Sequence, residues 1–147
     1  MIPNREYCIT IHQTPAKMGE YVKHAIYTIL CQRNYHPPNG YECGEFEGIS
    51  LLVPCDNDFK TYIGKIIAVV QDSIDKNTTE GIIMHIYWNT SRLESWRINF
   101  DLKHDEEESV LSDFKDMIQK IVEMASNIIL LPYGCEMQIN FEECYKE

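Results

Sequence analysis

Three stretches with the apolar periodicity of a helix, separated by short segments that alternate as strands do, constrain this sequence most. The third stretch is the clearest: it runs from Val110 until Pro132 ends it. The first follows Thr14-Pro15, a hydroxyl N-cap before a proline at the first helical position, and Asp56 can cap the second. The strand-like segments are Tyr7 to His12, Tyr41 to Phe46, Ile49 to Val53, Gly81 to Trp88, Leu93 to Leu102 and Cys135 to Phe141. This order predicts an α+β domain, with three helices packed on one face of a small antiparallel sheet plus a β-hairpin.

The length and charge of the chain narrow the class of protein. Its 147 residues suffice for a single domain over residues 1–147. Thirteen Lys and Arg against 23 Asp and Glu give a net charge of −10, which argues against a general nucleic-acid binder and against docking on an anionic membrane. The N-terminus lacks a signal-peptide pattern, and no apolar run approaches the roughly 20 residues of a membrane helix. We therefore expect a soluble protein of the nucleus or cytoplasm.

Six cysteines leave two readings open. An even number permits disulfides, whereas the lack of a secretory leader favours buried or free thiols. Cys8 with His12, and Cys31 with His36, offer only two metal ligands each, and structural zinc needs four. We therefore predict no metal and no other cofactor. Cys31 and His36 are also the best pair for a thiol enzyme, but nothing indicates an oxyanion hole, so no catalytic residue is predicted.

Several residues have an ordinary structural reading. His24 and His85 lie among apolar neighbours, which favours satisfied or half-exposed histidines over ligands. Trp96 lies in the middle of a strand and is expected in the core. Tyr62 lies on the apolar stripe of the second helix, where packing is the default and lining a pocket is the alternative.

The last strand suggests how such a chain binds. A strand at an open sheet edge accepts an extended peptide by strand addition. The candidate peptide-binding residues on this strand are Met137, Gln138, Ile139, Asn140 and Phe141. Because an open apolar edge invites aggregation, we expect a partner or the chain's own N-terminal strand to cover it in the native state.

Four segments resemble the HORMA domain family. They are YVKHAIYTILCQRNYHPPNGY from Tyr21, GISLLVPCDNDFKTYIGKII from Gly48, GIIMHIYWNTSRLESWRINFDL from Gly81 and IILLPYGCEMQINFEE from Ile128. The resemblance runs from about Cys8 to Glu143 and is nearest to the spindle-checkpoint member and to the HORMA subunit of translesion polymerase zeta. It implies a non-enzymatic adaptor of checkpoint or DNA-repair signalling.

The resemblance also implies two binding surfaces. Family members hold a short peptide, the closure motif, beside the strand after the third helix, and the tyrosine matching Tyr62 lines that site. The third helix commonly carries a surface for another HORMA-type subunit, in a homodimer or a heterodimer. That surface maps to Phe114, Lys115, Ile118, Gln119, Val122 and Glu123.

The sequence departs from the family pattern at its C-terminus. Only Glu142 to Glu147 follow the last strand, where the safety belt that locks the peptide is expected to begin. Three readings remain: an open edge with faster peptide release, a partner that supplies the covering strands, or an obligate heterodimer subunit that acts through the third helix. The basic residue that relatives use on that helix is not evident near Val122 and Glu123.

Overall fold

The computed structural model of the chain describes residues 5–36, 38–103, 114–128, 131–132 and 134–143. Three α-helices and six strands follow one another in the predicted order. Their bounds are β1 Arg5–Gln13, α1 Pro15–Gln32, β2 Tyr41–Phe46, β3 Ile49–Pro54, α2 Asn57–Asp75, β4 Thr79–Trp88, β5 Ser91–Leu102, α3 Phe114–Ala125 and β6 Glu136–Glu143. The predicted start of α3 near Val110, and the charged link before it, lie outside the described residues.

The predicted side-chain cap is present at the start of α2 but absent at the start of α1. The Asp56 carboxylate accepts hydrogen bonds from the backbone N–H groups of Asp58 and Phe59, at 2.9 and 3.2 Å, as predicted. Thr14 occupies the N-cap position of α1, but its side chain makes no capping bond. The fixed φ of Pro15, rather than the Thr14 hydroxyl, therefore favours the start of α1.

The main sheet has the strand order β1-β5-β4-β6 and is mixed. β4 pairs antiparallel with both β5 and β6, whereas β1 pairs parallel with β5, so the prediction of an antiparallel sheet was wrong on this point. Tight turns impose antiparallel pairing only on strands adjacent in sequence, and α1, the hairpin, α2 and β4 separate β1 from β5. Because β1 lies at the opposite margin from β6, the N-terminal strand does not cover the last strand, which was one of the two alternatives expected from the sequence.

The register gives the sheet two different faces. The face toward the helices carries apolar rows, such as Tyr7–Trp96–Met84–Ile139. Trp96 is fully buried there, as predicted, with its ring 4.7 Å from that of Tyr7. The other face carries polar rows, such as Glu6–Ser95–His85–Gln138. The helices and the hydrophobic core therefore occupy one side of the sheet.

The predicted hairpin, β2 and β3, forms a separate two-stranded sheet that contacts α1. Its turn is Glu47-Gly48, where both residues have positive φ, as a two-residue hairpin turn requires. Tyr21 donates a hydrogen bond of 2.6 Å to the Glu47 carboxylate, and this bond ties the turn to α1.

Candidate functional site

β6 forms one margin of the main sheet. Its residues pair with β4 from Tyr87↔Glu136 to Thr79↔Glu143. Among the described residues, no strand pairs with the other side of β6. Backbone N–H and C=O groups on that side are therefore in position to pair with another polypeptide.

The side chains of β6 alternate between the two sheet faces. Met137 and Ile139 are half-buried and pack on the core, because they lie opposite the fully buried Ile86 and Met84. Phe141 continues this row, and 37% of its surface is exposed. We call Met137, Ile139 and Phe141 the β6 apolar strip. Gln138 and Asn140 are exposed on the opposite face.

α2 also exposes apolar side chains. Its buried positions, Ile63, Ile67, Val70 and Ile74, face the core. Tyr62, Ile66 and Val69 follow one another at helical spacing outside that stripe, and Tyr62 and Val69 are 45% and 53% exposed. We call Tyr62, Ile66 and Val69 the α2 apolar face.

Tyr35 links the beginning of α2 to the beginning of β6. Burial raises the pKa of Tyr35, and the backbone of Met137, which lies near its hydroxyl, acts in the opposite direction. The Tyr35 ring lies 6.2 Å from that of Phe59, which lies 6.5 Å from that of Tyr62. Two of the predicted peptide-binding residues, Tyr62 and Met137, are therefore connected through a single aromatic chain.

One residue of the predicted partner surface on α3, Phe114, is buried and is therefore not part of that surface. Phe114 is only 2% exposed, and its ring contacts those of Tyr21, His24 and Phe46, with centroids 4.7 to 5.6 Å apart. It faces the core because positions 114, 117, 121 and 125 form the buried stripe of α3. Lys115, Gln119 and Glu123 are exposed, and Ile118 and Val122 are half-buried.

The thiol pair lacks the surroundings of a nucleophile. Burial raises the pKa of Cys31 and lowers the pKa of His36. A reactive cysteine needs a stabilised thiolate, and the Cys31 environment disfavours it. Among the described residues, no group of three or more His, Cys, Asp or Glu side chains is arranged to hold a metal ion. No helix in this part of the chain is long and apolar enough to cross a membrane.

The two apolar-flanked histidines differ in their surroundings. His85 is buried and shares a 2.6 Å hydrogen bond with Ser95 Oγ, as expected of a satisfied histidine. His24 is buried among aromatic rings, and its Nδ1 has no hydrogen-bond partner within the described residues, contrary to the prediction. Burial lowers the pKa of His24 to about 4, which keeps its ring neutral.

Comparisons with known proteins show which of them this chain is similar to in sequence and in fold. No family model matches the chain. Over 87 residues, the sequence is 28% identical to the mitotic spindle checkpoint component mad2 of Schizosaccharomyces pombe. That region is 58% of this chain but only 43% of the yeast protein, less than half of its length.

Solved structures match over most of the chain. A chain of the mitotic checkpoint complex superimposes with a TM-score of 0.78 at 21% identity, covering 90% of this chain and 75% of that one. The C. elegans protein HTP-2, solved with the HIM-3 closure motif, gives a TM-score of 0.67 at 12% identity, with coverages of 93% and 74%. The chain has the HORMA-domain fold. This confirms the resemblance found in the sequence.

Sequence reasoning missed part of the candidate site. Tyr35, Ile66 and Val69 were not proposed as site residues, although they surround Tyr62 or lead from it to β6. A signal was present in α2, because its apolar residues cover more of the helix circumference than a stripe of about 100° facing the core requires. Tyr35 had no such signal, since its contact with Met137 joins residues far apart in sequence.

Proposed function

We propose that this HORMA domain is a non-enzymatic protein-interaction module that binds an extended peptide as an additional strand beside β6. The observation that carries the proposal is the outer side of β6, with which no strand pairs among the residues that the structure describes, flanked by the β6 apolar strip. Backbone pairing supplies affinity in this binding mode, and pockets for alternate side chains supply specificity. The shared fold with HTP-2, which was solved with a closure motif, supports the same mode here.

In this proposal the peptide contacts the β6 apolar strip and the α2 apolar face. Tyr62, Met137, Ile139 and Phe141 contact its apolar side chains, whereas Gln138 and Asn140 contribute backbone pairing with their side chains in solvent. The net charge of −10 favours a basic or neutral peptide over an acidic one at this edge.

We further propose a place for this adaptor in the cell. The yeast relative is a spindle checkpoint component, which supports a role in checkpoint signalling. The resemblance to the polymerase-zeta subunit makes DNA repair and translesion synthesis, and a nuclear location, a further proposal. Residues 1–147 are proposed to act as one domain in either setting.

Peptide binding is testable by fluorescence anisotropy with tiled, end-blocked peptides from candidate partners, and the Tyr62→Ala variant is the informative change. A tyrosine buries about 150–250 Å², and the 45% that is now exposed corresponds to roughly 90 Å². At about 25 cal/mol per Å², covering most of it contributes about 1–2 kcal/mol, so the variant is expected to bind about 5- to 30-fold more weakly.

The matched control is Leu52→Ala, because Leu52 is 46% exposed on the hairpin. Ile139→Pro is expected to abolish binding, since proline in the middle of β6 distorts the strand to which the peptide pairs. A peptide methylated on alternate backbone nitrogens is expected to lose affinity as well. Equal binding by the wild-type protein and the Tyr62→Ala variant, together with full binding of the methylated peptide, would contradict strand addition beside β6.

A second candidate function rests on α3. Ile118 and Val122 are four residues apart, half-buried, and flanked by the exposed Lys115, Gln119 and Glu123. This arrangement suits a structural subunit whose partner, a HORMA-type chain or another protein, packs along α3. Sedimentation of the purified complex with Ile118→Glu tests it: dissociation with peptide binding intact favours this candidate, and an intact complex excludes it.

A further inference from the structure

A cavity of about 490 Å³ opens on the sheet face opposite the helices, away from β6's outer edge. It extends across β1, β5 and β4. We call it the outer-face cavity. Its lining residues are Glu6, Tyr7, Cys8, Ile83, His85, Arg92, Ser95 and Arg97. The peptide-binding edge proposed above contributes none of them.

Two polar residues form the floor of the outer-face cavity. His85 and Ser95 are 8% and 5% exposed, and they lie opposite each other in the β4–β5 register. Their side chains share a hydrogen bond of 2.6 Å. Both residues belong to the row Glu6–Ser95–His85–Gln138, so the sheet itself fixes their position.

An irregularity in β5 brings Arg92 into the cavity. The pairing advances from Ile86↔Glu94 to Tyr87↔Arg92, so β5 contributes one more residue than β4 at this point. Glu94 faces the core, and regular alternation would place Arg92 on that same side. The bulge instead places Arg92 opposite Tyr87, on the face that carries His85. Bulges commonly redirect a side chain in this way beside a functional site.

Arg97 adds a second positive charge, so the cavity lining carries two arginines against one carboxylate, that of Glu6. Arg97 lies on β5 between Cys8 and Ile83. The pKa of His85 is lowered first by burial and then by the charge of Arg92, and the opposite effect of Glu6 is smaller. A protein with a net charge of −10 thus presents a locally cationic cavity.

We propose that the outer-face cavity binds an acidic, carboxylate-bearing segment of a protein partner. Arg92 pairs with its carboxylates, and Arg97, which also has a partner within the chain, adds positive charge beside them. The His85–Ser95 floor is available to a further polar group. Guanidinium groups suit this task because they bind carboxylates in a bidentate, charge-assisted manner. Nucleic acid and anionic membranes fit less well, because the negative charge of the whole chain repels an extended anionic surface.

This site makes the domain bivalent. The β6 edge suits a basic or neutral peptide, whereas the outer-face cavity suits an acidic one on a different part of the sheet. The two sites share no residue among those assigned to them. One domain is therefore able to hold two polypeptides of opposite charge at the same time.

The test is an NMR titration of the full chain at low ionic strength with end-blocked tetraglutamate, and with tetraglutamine as the uncharged match. We expect tetraglutamate alone to shift the backbone resonances of Cys8, Ile83, His85 and Ser95. Bound carboxylates are also expected to raise the pKa of His85, followed through its ring protons. Added salt is expected to weaken binding.

Variants decide whether the arginines are responsible. Arg92→Gln and Arg97→Gln are each expected to weaken binding by about tenfold or more, the usual effect of losing a charge-assisted hydrogen bond. Lys120→Gln, which removes an exposed cation from α3, is expected to leave it unchanged. Arg92 and Arg97 are both exposed, so neither replacement is expected to prevent folding.

Three outcomes would overturn the proposal: equal binding of tetraglutamine, equal loss in the Lys120→Gln control, and shifts that cluster elsewhere on the sheet. A fourth is saturation of the same resonances by inorganic phosphate with the affinity of tetraglutamate. That result would indicate a site for small anions instead of a polypeptide.

Discussion

Replacing either member of the buried ion pair between Arg33 and Glu94 should destabilise the domain strongly, whereas replacing both should not. Arg33 and Glu94 are 1% and 2% exposed. The guanidinium donates to the carboxylate at 2.6, 3.0 and 3.1 Å, and the Trp96 indole donates to the same carboxylate at 2.6 Å. The pair joins the end of α1 to β5.

The expected size follows from leaving one charge buried without its partner. Glu94→Leu or Arg33→Met alone should each lower the free energy of unfolding by about 3–5 kcal/mol. That is a large part of the roughly 5–15 kcal/mol that stabilises a typical domain. The double variant Arg33→Met with Glu94→Leu removes both charges and leaves the Trp96 N–H unpaired, at a cost of about 1–3 kcal/mol.

Urea unfolding followed by far-UV circular dichroism measures these changes, provided that the slope with denaturant stays constant. The reasoning predicts that the double variant is more stable than either single variant. A double variant that loses the sum of the two single losses would refute it, because the two residues would then act independently. A folded double variant is informative even where a single variant fails to fold.

Three further predictions concern other buried groups. Phe114→Ala should lower the free energy of unfolding by about 3–5 kcal/mol. Gln119→Ala, on the exposed side of α3, should change it by no more than about 0.5 kcal/mol. Similar losses in the two variants would show that Phe114 is not a core residue. The pKa of His24 in the folded state is about 4, below its unfolded value near 6.5. The free energy of unfolding should therefore be highest above pH 6.5 and fall by about 2–3 kcal/mol as the pH drops toward 4. The His24→Phe variant should flatten this pH dependence, measured as urea midpoints from pH 7 to 4.5. The exposed Cys43 and Cys55 should react with iodoacetamide before Cys31, whose pKa is raised by burial. Mass spectrometry of the labelled peptides measures the order of reaction. A Cys31 that reacts first would support the thiol-enzyme hypothesis.

Local chemistry made the elements predictable. Asp56 is the cap of α2, as its position before the apolar stripe indicated. Asn89 and Thr90 form the β4–β5 turn, and β5 begins directly after them, two residues earlier than predicted. The difference arises because both turn residues have positive φ, which gives the tightest hairpin connection.

Long-range pairing was the part that sequence patterns could not supply. Alternation in β1 shows that it is a strand, but not that it runs parallel to β5. The bulge that redirects Arg92 leaves no periodic signal, since it reflects the register between two strands. Phe114 was misassigned because the family's partner surface was carried over as a block, without testing which side of α3 each residue occupies.

The parallel pairing of β1 with β5 also affects how this chain reaches its native state. His12 and Asp101, which hydrogen-bond across the two strands, are 89 residues apart in sequence. Closing so long a loop costs chain entropy before any contact compensates for it. On a ribosome, β1 emerges well before β5 and has to wait for it. We therefore expect the hairpin and α1 to become ordered first and β1 to dock among the last.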